Sequence, residues 1–490
     1  MIYDNIVIGA GYGGLTASAL LAKAGEKVLL LEAHTVPGGC ASFYNRKGIL
    51  FDAGATTLSG MAEGQPMNQL FRELEIEPKV KKLDPGMIIK FGERELVRHS
   101  DLEQWITECE RFFGLKGIRE FWGLVHSIDK KVYELITQNK RIPPVSAGDL
   151  LSLVKPSNLK GLPLLPYLFK PVDSVLKKFG LGDDPLFRSF IDEQLLITTQ
   201  NTAEDAPFLT AAMGLAYPAE TYYPCGGLFF PAKQIEKRFR KFGGEVKYKK
   251  RVTAIRQEKG RYKIAINDGS EYVCNRVITN IPIWNLPTLT DGEIKEYFIK
   301  ISPKKDGAWG AFMINFAIKH ELQEELQSVY WQIHVPEGVP YCESKSFFVT
   351  LSPEDDTQKA PNGVKSVTIS LHTKPENWYG LTDEEYDRRK NETGNFIIQK
   401  FDESFPMLAG FEKSHVEFGT PVTFEKYTGR FRGLVGGVPH SVKNNLLKMN
   451  SGVTPFKNFY NTGDTVFPGQ GTVAVTIGAS NLIRRILDKK

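Results

Sequence analysis

The chain has no cysteine pairs. Its five cysteines, Cys40, Cys109, Cys225, Cys274 and Cys342, are scattered and none is spaced C-x-x-C. That pattern speaks against both a zinc knuckle and a disulfide framework, and a reducing cytosol is the compartment it fits. The eight histidines show no ligand spacing, so no metal is expected. No stretch reaches the roughly 18 to 20 apolar residues of a membrane-spanning helix, and the opening strand leaves no room for a cleavable leader, so none is expected. Charge is not one-sided either. The net charge is +5, from 62 Lys and Arg against 57 Asp and Glu, and the basic residues form no stripe, which makes nucleic acid a poor partner. Repeats, low-complexity tracts and a Ser-His-Asp arrangement are all missing.

What remains is the composition of an ordinary globular protein, 490 residues with 41% apolar, long enough for two or more packed regions. The opening segment reads as a strand to Ile8, a helix from Leu15 to Ala24 stopped by Gly25, and a second strand Val28–Leu31. Asp84-Pro85-Gly86 marks a turn, after which a largely helical region is predicted to about Leu181. Beyond Gly243 and Gly244, strands are predicted at 246–248, 252–255, 262–266 and 277–279, with Asn267-Asp268-Gly269 as a hairpin turn. Further strands are predicted at 309–318, 364–372 and 459–463, and a terminal helix over 472–487.

Gly9-Ala10-Gly11-Tyr12-Gly13-Gly14 satisfies G-x-G-x-x-G between a strand and a helix, the context in which this motif binds dinucleotides. Gly9 permits the tight turn. Gly11 lets the backbone approach a pyrophosphate, and Gly14 lets the helix pack closely on the sheet. The helix start offers its unpaired N–H groups to the anion, a dipole effect of about 0.3–2 kcal/mol. Glu32, at the end of the second strand, sits where a carboxylate accepts hydrogen bonds from both adenosine ribose hydroxyls and repels a ribose phosphate.

Four stretches carry a resemblance: Pro37-Gly38-Gly39-Cys40-Ala41-Ser42, Phe51-Asp52-Ala53-Gly54-Ala55-Thr56-Thr57-Leu58, Tyr223-Pro224-Cys225-Gly226-Gly227-Leu228 and Phe467-Pro468-Gly469-Gln470-Gly471. Through them the chain resembles the bacterial phytoene desaturase and carotenoid oxidoreductase family, within the amine-oxidase-like FAD group. The resemblance implies an α/β fold, with a Rossmann-like FAD-binding domain of the glutathione-reductase-like type and an inserted α+β substrate domain. The FAD domain is expected over 1–83, 225–285 and 440–490, and the substrate and membrane-associating domain over 84–224 and 286–439. It further implies FAD contacts from Gly9, Ala10, Gly11, Gly13, Gly14, Glu32, Ala33, Gly38, Gly39, Cys40, Thr56, Val252, Gly463, Asp464, Gly471, Thr472 and Val473. Gly38, Gly39 and Cys40 would line the flavin or ribityl region, Val252 would meet adenine through its backbone, Asp464 would bind the ribityl or phosphate portion, and Val473 would sit by the ring. Where amine oxidases often carry Arg, this chain has Cys40, a departure that leans away from amine substrates. Independently of the resemblance, a Gly-x-Gly turn before the terminal helix aims N–H groups at a reduced, negatively charged flavin.

The implied reaction is desaturation of a membrane-dissolved carotenoid or other long polyene lipid, with 3,4-desaturation of a hydroxylated or monocyclic carotenoid one possibility. Two alternatives are carotene cis–trans isomerisation, and a non-enzymatic prenyl-lipid carrier on the same fold. A molecule of about forty carbons would cost on the order of 30 kcal/mol to carry through water, so the enzyme must draw it from a bilayer. The stretch Leu153 to Gly182 mixes Leu162, Leu164, Leu165, Tyr167, Leu168 and Phe169 with Lys155, Lys160, Lys170, Lys177 and Lys178. It reads either as a Lys-fringed patch dipping into a membrane or as core under a proline-rich loop. A cytoplasmic protein peripheral on the inner face of the membrane follows from the first reading. Trp309 to Phe316 and the cluster Tyr217, Tyr222, Tyr223, Phe229 and Phe230 read as core before tunnel lining. No catalytic acid or base stands out, and a solvated helix face accounts for Asp192 and Glu193 as well as a buried role does.

Overall fold

The computed structural model describes residues 1–139, 141–159, 161–303, 307–319 and 326–488. Strands Ile2–Ile8 and Val28–Leu31 form because their apolar runs, Ile6-Val7-Ile8 and Val28-Leu29-Leu30-Leu31, bury on both faces, the pattern of strands inside a parallel sheet. The helix between them starts at Tyr12, earlier than the sequence suggests, with Gly11 as its N-cap, and Gly25 turns the chain at φ +82° just past its end.

These strands lie at the centre of a seven-stranded sheet. Its order is 252–258, 261–266, 271–279, 2–8, 28–31 and 245–247, with Phe459–Asn461 paired beside the upper half of 271–279. The strand 2–8 runs parallel to both neighbours. The chain leaves it toward one side and returns on the other, so a crevice opens at its carboxyl end, at Gly9. Below the sheet the first helix packs between the terminal helix Thr472–Leu487 and the helix Phe229–Lys241.

The second sheet also has seven strands, in the order 413–419, 310–319, 364–373, 346–351, 330–334, 87–91 and 94–98. Its last two strands correct the sequence reading. A hairpin, Met87–Phe91 and Arg94–Arg98, occupies the start of the stretch expected to be helical, and helices begin only at Leu102. Met87-Ile88-Ile89 is a short apolar run, which periodicity cannot assign to strand or helix. Parallel pairing with Tyr330–His334, far along the chain, decides it.

Strand Gly310–Lys319 divides its side chains between two environments, as the two-residue period of a strand requires. Phe312, Ile314, Phe316 and Ile318 pack into the core with Ile397 and Phe401 of the helix Asp383–Ser404. Ala311, Met313 and Asn315 face the opposite way, onto a cavity. A helical layer, including Ile118–Gln138, Pro185–Thr199 and Phe208–Ala216, closes that cavity around a core holding Trp105, Trp122, Phe187 and Phe190.

Candidate cofactor and substrate site

A cavity of about 1130 Å³ runs from the Gly9 crevice to the face of the second sheet. At the crevice end the glycines are required by close approach. A Cβ on Gly14 would fall 1.9 Å from the Gly9 carbonyl oxygen, and one on Gly39 would fall 3.3 Å from Gly11 Cα. Glu32 is held in place by the loop it faces: its Oε2 accepts from the Ala10 N–H at 2.6 Å and its Oε1 from the His34 N–H at 2.7 Å. The carboxylate is thus oriented with lone pairs to spare for a ribose.

Two helices whose N-termini meet the cavity, Tyr12–Lys23 and Thr472–Leu487, begin at a glycine with no side-chain cap and no acidic residue in the first turn. Their first N–H groups are left for an anion. Gly9, Gly11, Gly13, Glu32, Ala33, Gly38, Gly39, Cys40, Thr56, Val252, Gly463, Asp464, Gly471, Thr472 and Val473 all line this one cavity. Ala10 and Gly14 do not. Ala10 is fully buried and acts through its N–H to Glu32, while Gly14 lies under the Gly9 carbonyl. Thr56, in a loop, is held against the second sheet, its hydroxyl accepting from Thr350 at 2.9 Å and its carbonyl from the Tyr330 hydroxyl at 2.9 Å.

One member of the site escapes sequence reading. Arg430, on the connection preceding the last cofactor-side segment, donates to Asp464 Oδ2 at 2.6 Å and to the Leu434 carbonyl at 2.5 Å. Its charge lies close enough to Cys40 to oppose burial, which pushes that thiol's pKa up. A cation therefore stands beside the glycine pair after all, supplied from far along the chain instead of from the position after Gly39. No local motif marks it.

At the other end, Glu193 and Ile197 of the helix Pro185–Thr199 and Gln200 just past it line the cavity, as do Met213, Tyr217, Ala311, Met313, Ser346, Phe348, Ser370 and His372. Glu193 is buried, accepting from the Ser346 hydroxyl at 2.7 Å and the Lys345 N–H at 2.9 Å, and burial raises its pKa. The solvated-face reading is thereby corrected for Glu193. Neighbouring Asp192, also pushed up by burial, accepts from the Ala203 N–H at 2.7 Å. Of the aromatic cluster, Tyr217 lines the cavity, whereas the Tyr223 hydroxyl is spent on Asp356 and Phe229 packs on Phe43.

The Leu153–Gly182 stretch divides. Leu164 and Leu168 are core, while Leu162 and Phe169 are 55% and 53% exposed. Val154, at 77%, and Leu151, at 73%, extend the exposed set backwards. Lys155 and Lys170 are exposed beside it, and Lys160 lies outside the described residues. The patch abuts the cavity wall: Leu135 and Asn139 contact Gly161 and Asn158, and Tyr133 and Ile136 of the same helix line the cavity. Among the described residues no helix is long and apolar enough to cross a membrane.

A strand–loop–helix nucleotide cradle, set against a second sheet that walls the same cavity, defines a dinucleotide-dependent oxidoreductase of the two-sheet type. The flavin-containing amine oxidoreductase family matches residues 12–389, and the chain belongs to it, with FAD as its cofactor. The prolycopene isomerase of Daucus carota is 27% identical over 99% of this chain and 80% of its own length. A phytoene desaturase of Fusarium fujikuroi is 23% identical over 98% of this chain and 89% of its own. An oxidoreductase structure from Methanosarcina mazei superimposes with a TM-score of 0.63 at 16% identity, covering 99% of both chains, which bears on the fold alone.

Proposed function

We propose that this enzyme acts on the carbon chain of a carotenoid or similar long polyene, introducing a carbon–carbon double bond. The observation that carries the reading is a single cavity joining the FAD cradle to a largely apolar chamber, whose wall abuts an exposed apolar patch. The likeness over nearly the whole chain to enzymes named for polyene substrates supports it. Bound FAD supplies a hydride acceptor held against the substrate. The chain's own residues do the rest. Glu32 and the uncapped helix starts would hold the nucleotide, Asp464 with Arg430 would face the ribityl or phosphate portion, and Val473, beside Thr472, would sit by the ring. The residues named as FAD contacts form part of this proposal.

In this reading residues 1–83, 225–285 and 440–490 form the FAD domain, and 84–224 and 286–439 the substrate and membrane domain. In its support, the strands of the first sheet fall within the former ranges and those of the second within the latter. The patch at Leu151, Val154, Leu162 and Phe169 is proposed to dip into the headgroup boundary on the inner, cytoplasmic face of a membrane, where the substrate passes from lipid to cavity without crossing water.

A second reading, cis–trans isomerisation, is favoured by one finding: the prolycopene isomerases match at higher identity than the phytoene desaturases. Product mass separates the two. FAD-loaded protein is incubated with carotenoids in liposomes; desaturation removes two hydrogens and extends the chromophore, whereas isomerisation leaves the mass unchanged. A panel of carotenoids returned with neither change in structure overturns both.

A further inference from the structure

The chamber proposed to take a hydrocarbon chain is not apolar throughout, and two of its polar side chains, Ser370 and His372, lie side by side. Ser370 and His372 lie on the strand 364–373, which has a neighbour on either side. Pairing places Met313 and Phe348 directly opposite Ser370, and Ala311 opposite His372, so these residues share the face that lines the cavity. Both are half-buried. Among the described residues neither the Ser370 hydroxyl nor the His372 ring has a hydrogen-bond partner; only the His372 backbone N–H bonds, to Ser344 Oγ at 3.3 Å.

Two of the groups near them, Ser346 and Lys374, already have partners. Ser346 donates to Glu193 at 2.7 Å and accepts from Gln332 Nε2 at 2.9 Å. Lys374, one residue past the strand, donates to the Gly307 carbonyl at 2.9 Å and lies over Trp309. Its charge adds to burial in keeping the His372 imidazole neutral, so the ring can donate at one nitrogen and accept at the other. The place is tied to the cofactor end. Trp309 meets the His372 ring edge-on at 6.0 Å and donates from its indole to the Gln200 carbonyl at 2.9 Å, while Gln470, in the turn before the terminal helix, donates to the Ile197 carbonyl at 3.2 Å.

A plain hydrocarbon laid across Ser370 and His372 would strip both of water and return no hydrogen bond. An uncharged oxygen would satisfy them. Resting on the polyene reading above, we propose that Ser370 and His372 form a subsite for a hydroxyl or carbonyl oxygen on the substrate, so that the enzyme selects an oxygen-bearing polyene over its hydrocarbon counterpart. Ala311, Met313 and Phe348 beside them carry the adjoining carbon chain.

The test uses the full FAD-loaded chain and phosphatidylcholine liposomes containing either a carotenoid hydrocarbon or its monohydroxylated derivative, reading the flavin absorbance change on binding together with KM and kcat. The hydroxylated compound is expected to show at least about tenfold lower KM, because a site built around hydrogen-bonding groups discriminates against a ligand that leaves them unpaired. Ser370→Ala and His372→Phe are each expected to erase most of that preference, while FAD content and melting temperature hold. Equal handling of the two compounds by the parent, or a loss in the variants that falls equally on both, overturns the subsite and leaves the polyene reading standing. Failure of both compounds to bind or react overturns that reading and the subsite with it.

Discussion

Glu32 and Arg430 occupy the same cavity and differ in how they reach it. Glu32 ends a strand that begins a few residues after a helix, so its distance from the glycine loop is set by the lengths of one helix and one strand, and spacing alone locates it. Replacing it with Ala should raise the dissociation constant for FAD about 10- to 100-fold, since hydrogen bonds to a charged group contribute roughly 1.5–3 kcal/mol. Fluorescence titration of the apoprotein measures this, and unchanged affinity would remove Glu32 from the cofactor site. Arg430 has no such spacing; only the folded chain brings it to Asp464. Arg430→Met leaves Asp464 as a mostly buried carboxylate without its cation, and breaking such a pair typically costs about 3–5 kcal/mol. Because both side chains keep some solvent contact, the lower end of that range is expected in urea unfolding. Adding Asp464→Asn should restore part of the loss.

Among the elements, the central βαβ unit was legible because each strand is an unbroken apolar run and the helix between them ends at a glycine. The hairpin 87–98 was not, since its pairing partner lies far away at Tyr330–His334. His334, at the end of that partner strand, stacks on Phe91 with ring centroids 4.0 Å apart and is 6% exposed. Burial lowers its pKa to about 3. The unfolded chain therefore takes up a proton near pH 6.5 that the folded one refuses. The stability this site contributes is complete above that pH and is lost as pH falls from about 6.5 toward 3, at up to about 1.4 kcal/mol per pH unit. Substituting Phe for His334 should flatten the acid side of the stability profile by about that slope. Equal slopes in parent and variant between pH 6.5 and 4 would contradict the assignment.

At the scale of the whole molecule, the exposed apolar patch and the cavity are products of the same helical layer. Leu164 and Leu168 turn inward while Leu162, Leu165 and Phe169 stay outside. A triple change of Leu162, Leu165 and Phe169 to Ser touches no core and should leave the melting temperature nearly unchanged. It should weaken co-sedimentation with anionic liposomes at least about tenfold, as each fully withdrawn side chain of this kind forfeits roughly 1.5–3 kcal/mol of apolar burial. Undiminished sedimentation would return the patch to a role unconnected with lipid. The sequence by itself determined the nucleotide cradle, because a glycine loop between a buried strand and a helix start is a local arrangement whose parts lie within a few turns of one another. Only the tertiary structure decided the cation beside Cys40, which leucines face solvent, and the gathering of Ser370, His372 and Glu193 in one chamber. Those depend on contacts between segments tens to hundreds of residues apart, and which face of a strand or helix meets a cavity is set by the partner it packs against.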